Sequence, residues 1–181
     1  MHISWFCILS SSISFIGFLI VAFLFSKIKN LLVTDDKANK IADAIRQGAM
    51  TFLKEEYKII AIVIFVVGML IAYFVGFFGA LCFAVGSVCS MLTGLIGMRA
   101  ATAANVRTTI AARDQGEHSA FLVAFFGGGV MGFSVASMGL LGLSAIFYFF
   151  FGATQFTLLI TCFSLGASLV AFFARIGGGI Y

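Results

Sequence analysis

Every charged residue of this 181-residue chain falls into a few short stretches, separated by long apolar runs. No Asp, Glu, Lys or Arg interrupts 3–25, 59–78, 81–98, 121–150 or 156–174. A helix needs roughly 20 mostly apolar residues to cross a bilayer, and each run is close to that length or longer. The chain is 62% hydrophobic and 10% charged, whereas soluble domains carry about 25% charged residues. Lipid is therefore the expected solvent for most of its length. The expected fold is an all-α polytopic membrane protein: a single membrane domain over 1–181 with about five transmembrane helices.

The charges also set an expected orientation. Lys27, Lys29, Lys37, Lys40, Arg46, Lys54 and Lys58 lie between the first two runs. Arg99, Arg107 and Arg113 lie between the third and fourth, and Arg175 follows the fifth. The acids Asp35, Asp36, Asp43, Glu55, Glu56, Asp114 and Glu117 share those stretches, and the two intervening turns have no charge. The positive-inside rule then places the N-terminus outside and the charged loops in the cytoplasm, across the inner membrane if the source is bacterial. Five spans bring the C-terminus to the cytoplasmic side as well. The first span has no preceding basic residue and no small-residue cleavage site, so it is expected to be retained.

Between the first two runs the sequence is patterned. Ala38, Ile41, Ala42, Ile45, Ala49, Phe52 and Leu53 recur at helical spacing, which predicts a cytoplasmic amphipathic helix over 36–57 leading into the second span. Asp35 and Asp36 stand at its start, where the helix dipole favours acids. The pairs Asp35-Asp36 and Glu55-Glu56 read as solvated faces. A Gly-marked turn is expected near Gly79, a polar link over 99–118, and an uncharged turn over 151–155.

Small residues recur at intervals of four in two spans: Gly86, Ser90 and Gly94 in the third, Gly128, Gly132 and Ala136 in the fourth. Such spacing forms a groove in which another helix packs closely. The four cysteines lie in apolar runs without a CxxC pair and read as small packing residues. Neither triple glycine, 127–129 or 177–179, fits the GxxxxGK[ST] phosphate loop, and the first lies deep in an apolar span. The net charge of +4 suits a juxtamembrane segment facing anionic lipid, and no nucleic-acid partner is expected. The spans carry no interior ionisable group of the kind pumps use to relay charge. No acidic cluster suits magnesium and a phosphate ligand. On its own residues the chain holds neither a complete pump nor a complete hydrolase, and no residue reads as catalytic.

Several stretches nevertheless form an ordered series: IRQGAMTFLKEEYK at 45–58, GSVCS at 86–90, GLIGM at 94–98, ATAANVRT at 101–108, AFFGGGVMG at 124–132, LLGL at 140–143 and FARIGGGIY at 173–181. This series resembles the opening segment of membrane-bound, ion-translocating (proton or sodium) inorganic pyrophosphatases. The resemblance implies a homodimeric enzyme that hydrolyses pyrophosphate at a cytoplasmic magnesium-dependent site and drives ions outward. It implies that the first four helices belong to an outer ring and the fifth to an inner ring. It also implies that Arg175, opening the RxGGGIY motif, lies in the ion pathway beneath the pyrophosphate site. In the family a lysine and an aspartate-rich motif follow, and this sequence ends before them. The chain is thus expected to be the N-terminal part of such a pump, inactive without the remaining C-terminal part. The alternative is a non-enzymatic small membrane subunit for assembly or packing. A compact transporter built from inverted repeats is a weaker reading, since the two halves show no self-similarity.

Overall fold

In a computed structural model of the chain, residues 2–31, 33 and 35–180 are described, with side chains for 5–31, 33 and 35–177. They form five helices: α1 His2–Lys29, α2 Asp36–Phe74, α3 Phe77–Gln115, α4 Glu117–Phe150 and α5 Phe156–Ile180. All five are long and apolar enough to cross a membrane, and no strand occurs among the described residues. In lipid a helix satisfies its own backbone polar groups, which is why apolar runs of this length fold this way.

Two helices outrun the bilayer. α2 and α3 each contain 39 residues, which at 1.5 Å per residue is roughly 58 Å, against about 30 Å of hydrocarbon. The expected polar link over 99–118 is therefore mostly helix, because nothing between Arg99 and Gln115 breaks one. The chain turns instead at Gly116, whose φ of 89° suits glycine. A second glycine turn falls at Gly76, with φ 103°, three residues before Gly79, and a third at Gly152, with φ 86°. Gly79 lies in the first turn of α3, where a Cβ would stand 2.6 Å from Val75 Cγ1. The amphipathic stretch 36–57 and the apolar run after it form the single unbroken helix α2.

α3 sits centrally, packed against α2, α4 and α5, and α1 packs chiefly on α4 and meets α3 toward the charged end. Near the uncharged end, Ile71, Cys82, Phe83, Ile146, Leu159, Cys162 and Phe163 form one buried cluster. Toward the charged end, Val21, Ile28, Ala100, Ala104 and Val130 form another. The closest approach is at the α3–α5 crossing. A Cβ on Gly86 would collide with the Phe163 carbonyl, and a Cβ on Gly166 with the Phe83 carbonyl. The two backbones touch because neither position carries a side chain.

α1 and α4 are joined by hydroxyls. Ser10 Oγ and Ser144 Oγ lie 2.6 Å apart, and Ser14 Oγ donates to the Ser137 carbonyl at 2.6 Å. Such bonds between membrane helices contribute about 0.6 kcal/mol on average. The outward surface is apolar, with Phe65, Tyr73 and Phe125 mostly exposed, as expected of a face that meets lipid or further helices.

Candidate functional site

The ends of the helices that carry charge come together. Asp35 caps α2: its carboxylate accepts from the Lys37 and Ala38 amides at 2.9 and 3.3 Å. The same carboxylate accepts from Arg113 Nη1 at 2.9 Å. The Arg113 guanidinium, with the two amides, holds the Asp35 carboxyl below the usual aspartate range. Arg113 also pairs with Asp114 at 2.7 Å.

Six residues earlier on α3, Arg107 reaches back to α1. Its guanidinium donates to the carbonyls of Ala103 at 2.8 Å, Leu31 at 3.1 Å and Lys29 at 3.2 Å. The last carbonyls of a helix have no intrahelical partner, and a guanidinium there also complements the helix dipole. Two α3 arginines thus fasten the α1–α2 connection to the end of α3. Lys27 adds a cation–π contact to Phe23 and Phe126, 5.5 and 5.3 Å from the ring centroids.

Arg175 lies on the last turns of α5 and lines a cavity of about 450 Å³ with residues of α2, α3 and α4. Glu56, Tyr57, Ser90, Thr93 and Gly94 share that cavity. Tyr57 Oη donates to the Met91 carbonyl at 2.5 Å and Thr93 Oγ1 to the Ser90 carbonyl at 2.9 Å. A Cβ on Gly94 would stand 2.8 Å from Tyr57 Oη, so the tyrosine uses the space that glycine leaves. No ion pair to Arg175 occurs among the described residues. The end of the RxGGGIY motif, Tyr181, lies outside the described residues.

The small-residue positions divide into two groups. Gly86 meets the α5 backbone, Gly94 meets Tyr57, and Ser90 lines the cavity. Gly128 and Gly132 face nothing within 4 Å among the described residues. Gly128 opens onto an adjoining groove with Asn105 and Thr108, which shares Gly97, Ala101 and Met131 with that cavity. On α4 the close contacts fall on Gly127, Gly129 and Gly142, which face Ala104, Leu24 and Phe163.

Glu56 departs from the sequence reading. Glu55 is solvated and pairs with Lys58 at 2.7 Å. Glu56 turns inward, and its Oε1 is buried with no hydrogen-bond partner. The only sequence signal was its register: Glu56 follows Phe52 and Leu53 of the apolar face by four and three positions. Among the described residues no three His, Cys, Asp or Glu gather as metal ligands.

The arrangement defines a multi-pass membrane protein whose Asp, Glu, Lys and Arg residues are gathered at one end of its helices. The family model for inorganic H+ pyrophosphatase matches residues 15–181, and the chain belongs to that family. It is 43% identical, over 90% of its length, to a putative K(+)-stimulated pyrophosphate-energized sodium pump of Clostridium tetani. It is 44% identical, over 78% of its length, to a K(+)-insensitive pyrophosphate-energized proton pump of Moorella thermoacetica. A K(+)-insensitive proton pump of Methanosarcina mazei is 38% identical over 83% of the chain. These alignments cover 24%, 21% and 22% of the respective relatives, so the chain spans about a quarter of their length.

Proposed function

We propose that this chain is the N-terminal helical segment of a pyrophosphate-energised proton or sodium pump, and that it works only with the remaining C-terminal part. The observation that carries this reading is the family match over residues 15–181. The relatives are pumps energised by pyrophosphate, and magnesium-dependent hydrolysis is assigned to parts of such a pump beyond this segment. Arg175 is the residue here assigned to the ion pathway. Its support is its place in the RxGGG stretch and at an open cavity on α5. The proposed orientation has the N-terminus outside and the charged end cytoplasmic, because all eleven Lys and Arg fall in the stretches at that end. The uncovered Gly128–Gly132 face is assigned to packing against a helix of the remainder or of the second subunit of a homodimer.

The test is complementation in membranes. The chain is co-expressed with the missing part of the Clostridium tetani relative, and magnesium-dependent pyrophosphate hydrolysis is measured. Activity is expected from the pair and not from either piece. Hydrolysis by the chain alone would overturn the assignment, and a pair that co-purifies without activity would favour a packing subunit.

A further inference from the structure

A cavity of about 260 Å³ opens at the charged end, where the end of α1 meets α3 and the start of α4. Asn30, Arg107 and Gln115 give it polar groups, and Leu31, Ile110 and Val123 give it an apolar wall. No acid is among its described lining residues. A guanidinium has five N–H groups, and the carbonyls of Leu31, Ala103 and Lys29 take one from each nitrogen of Arg107. One N–H on each terminal nitrogen is left for a further acceptor. The three bonds also hold the guanidinium in place, so a ligand would not have to order it. Of the acids at this end, Asp35 and Asp114 are held by Arg113.

The depth of the cavity decides which anions reach it. Lys27 stands over Phe126 of α4, 5.3 Å from the ring centroid. Phe126 and Phe150 are 24 positions apart on α4, which at 1.5 Å per residue is about 36 Å, against about 30 Å of hydrocarbon. Lys27 therefore marks the level at which lipid headgroups begin. Val123 precedes Phe126 by three positions, so the two share a face of α4, and the cavity lies about 4–5 Å farther out. Deeper than Lys27 the surface is apolar, since Phe23, which Lys27 also covers, is exposed. Lys27, Lys29 and Arg107 thus gather at headgroup depth around the end of α1. Basic pockets between membrane helices at this level suit anionic headgroups.

We propose that this cavity binds the headgroup phosphate of an anionic phospholipid. Arg107 donates to the phosphate oxygens, and the side-chain amides of Asn30 and Gln115 add donors. Lys27 and Lys29 supply the surrounding positive field, and the acyl chains descend beside Phe23. The lipid covers the junction of α1, α3 and α4 that Arg107 fastens. Free inorganic phosphate offers the same oxygens, but the depth and the apolar wall favour the lipid. The inference needs only that the charged end meets a bilayer surface and does not rest on pump activity.

The test is native mass spectrometry of the full chain, released from detergent micelles holding equal amounts of phosphatidylglycerol and phosphatidylcholine. The wild type should retain phosphatidylglycerol at least fivefold over phosphatidylcholine. Gln115→Glu adds a negative charge at the cavity, and Lys29→Gln removes a positive one beside it. Both leave the Arg107 bonds in place, because the bond to Lys29 ends on its backbone carbonyl, and circular dichroism checks that the helices are kept. Each variant should weaken phosphatidylglycerol retention about fivefold, the effect of one unit of charge near an anionic surface. Gln155→Glu, in the uncharged turn, should retain as the wild type does. Equal retention of the two lipids, or retention unchanged by Gln115→Glu, would overturn the proposal. Displacement by inorganic phosphate, where chloride of equal ionic strength has no effect, would give the site to a free anion and overturn the lipid assignment. Loss of the lipid in a chimera carrying the remainder of the Clostridium tetani relative would give the cavity to a protein segment, with the same consequence.

Discussion

Gly86→Ala is the sharpest perturbation of this fold. The added Cβ would lie 2.9 Å from the Phe163 carbonyl carbon and 3.2 Å from the Ala167 nitrogen, besides colliding with the carbonyl oxygen. These atoms are α5 backbone, so no rotamer change relieves the clash. Comfortable contacts are about 3.5–4.0 Å, so α5 must retreat by roughly 1 Å, and a gap of that size forfeits a quarter to a half of each dispersion contact it opens. The contacts at stake are those of Phe83, Cys82, Leu159, Cys162 and Phe163, all buried at this crossing. Overpacking of this kind costs about 1–3 kcal/mol. Gly166→Ala acts on the same crossing, so the double variant should lose less than the two single losses combined. The control is Gly132→Ala, where a Cβ meets open space and better helix propensity predicts neutral to about 1 kcal/mol stabilising. Unfolding of the purified chain in detergent, followed by circular dichroism, gives the comparison. Equal stability of Gly86→Ala and Gly132→Ala would refute the backbone-contact reasoning.

Three further outcomes are expected. Arg107→Ala should uncap α1 and cost about 1–3 kcal/mol, seen as faster amide exchange around 26–31, with Arg107→Lys recovering only part because a single ammonium nitrogen does not span the three carbonyls that three guanidinium nitrogens reach. Asp35→Ala should loosen the start of α2 more than Asp35→Asn, since asparagine keeps the cap and loses only the charge pairing with Arg113. The Asp35 carboxyl is depressed in the folded chain, so its contribution is present above the ordinary aspartate pKa and is lost as pH falls through the lower folded value. Amide exchange at 37–39 should therefore quicken only in acid, and a profile unchanged by Asp35→Asn would contradict this. Ser14→Ala should cost about 0.6–1.7 kcal/mol by removing the bond to the Ser137 carbonyl, and a neutral result in the same unfolding assay would show that the α1–α4 contact is held by packing alone.

The number and type of elements were legible in the sequence because the bilayer imposes a simple length rule on uninterrupted apolar runs. The ends of the helices were less legible, because hydropathy marks where lipid stops and not where helix stops. Arg99–Gln115 carries polar residues but no helix breaker, so α3 continues until Gly116. Gly76 and Gly79 lie three apart, and composition alone does not say which takes the positive φ and which makes the close contact. At the candidate site, Arg175 was visible through the family motif. Glu56 was hidden between lysines, where a solvated face is the ordinary outcome, and only its register with Phe52 and Leu53 pointed inward. The roles of Arg107 and Arg113 were invisible because their acceptors lie 76 to 78 residues away.

The central claim is that this chain is a working segment of a pyrophosphate-energised ion pump. Its most direct test is a chimera in which residues 1–181 replace the matching segment of the Clostridium tetani relative. Pyrophosphate-dependent ion uptake is then measured in inverted membrane vesicles. The account predicts uptake by the chimera that Arg175→Gln abolishes while the protein remains in the membrane. A chimera that inserts fully yet hydrolyses no pyrophosphate and moves no ion would contradict it.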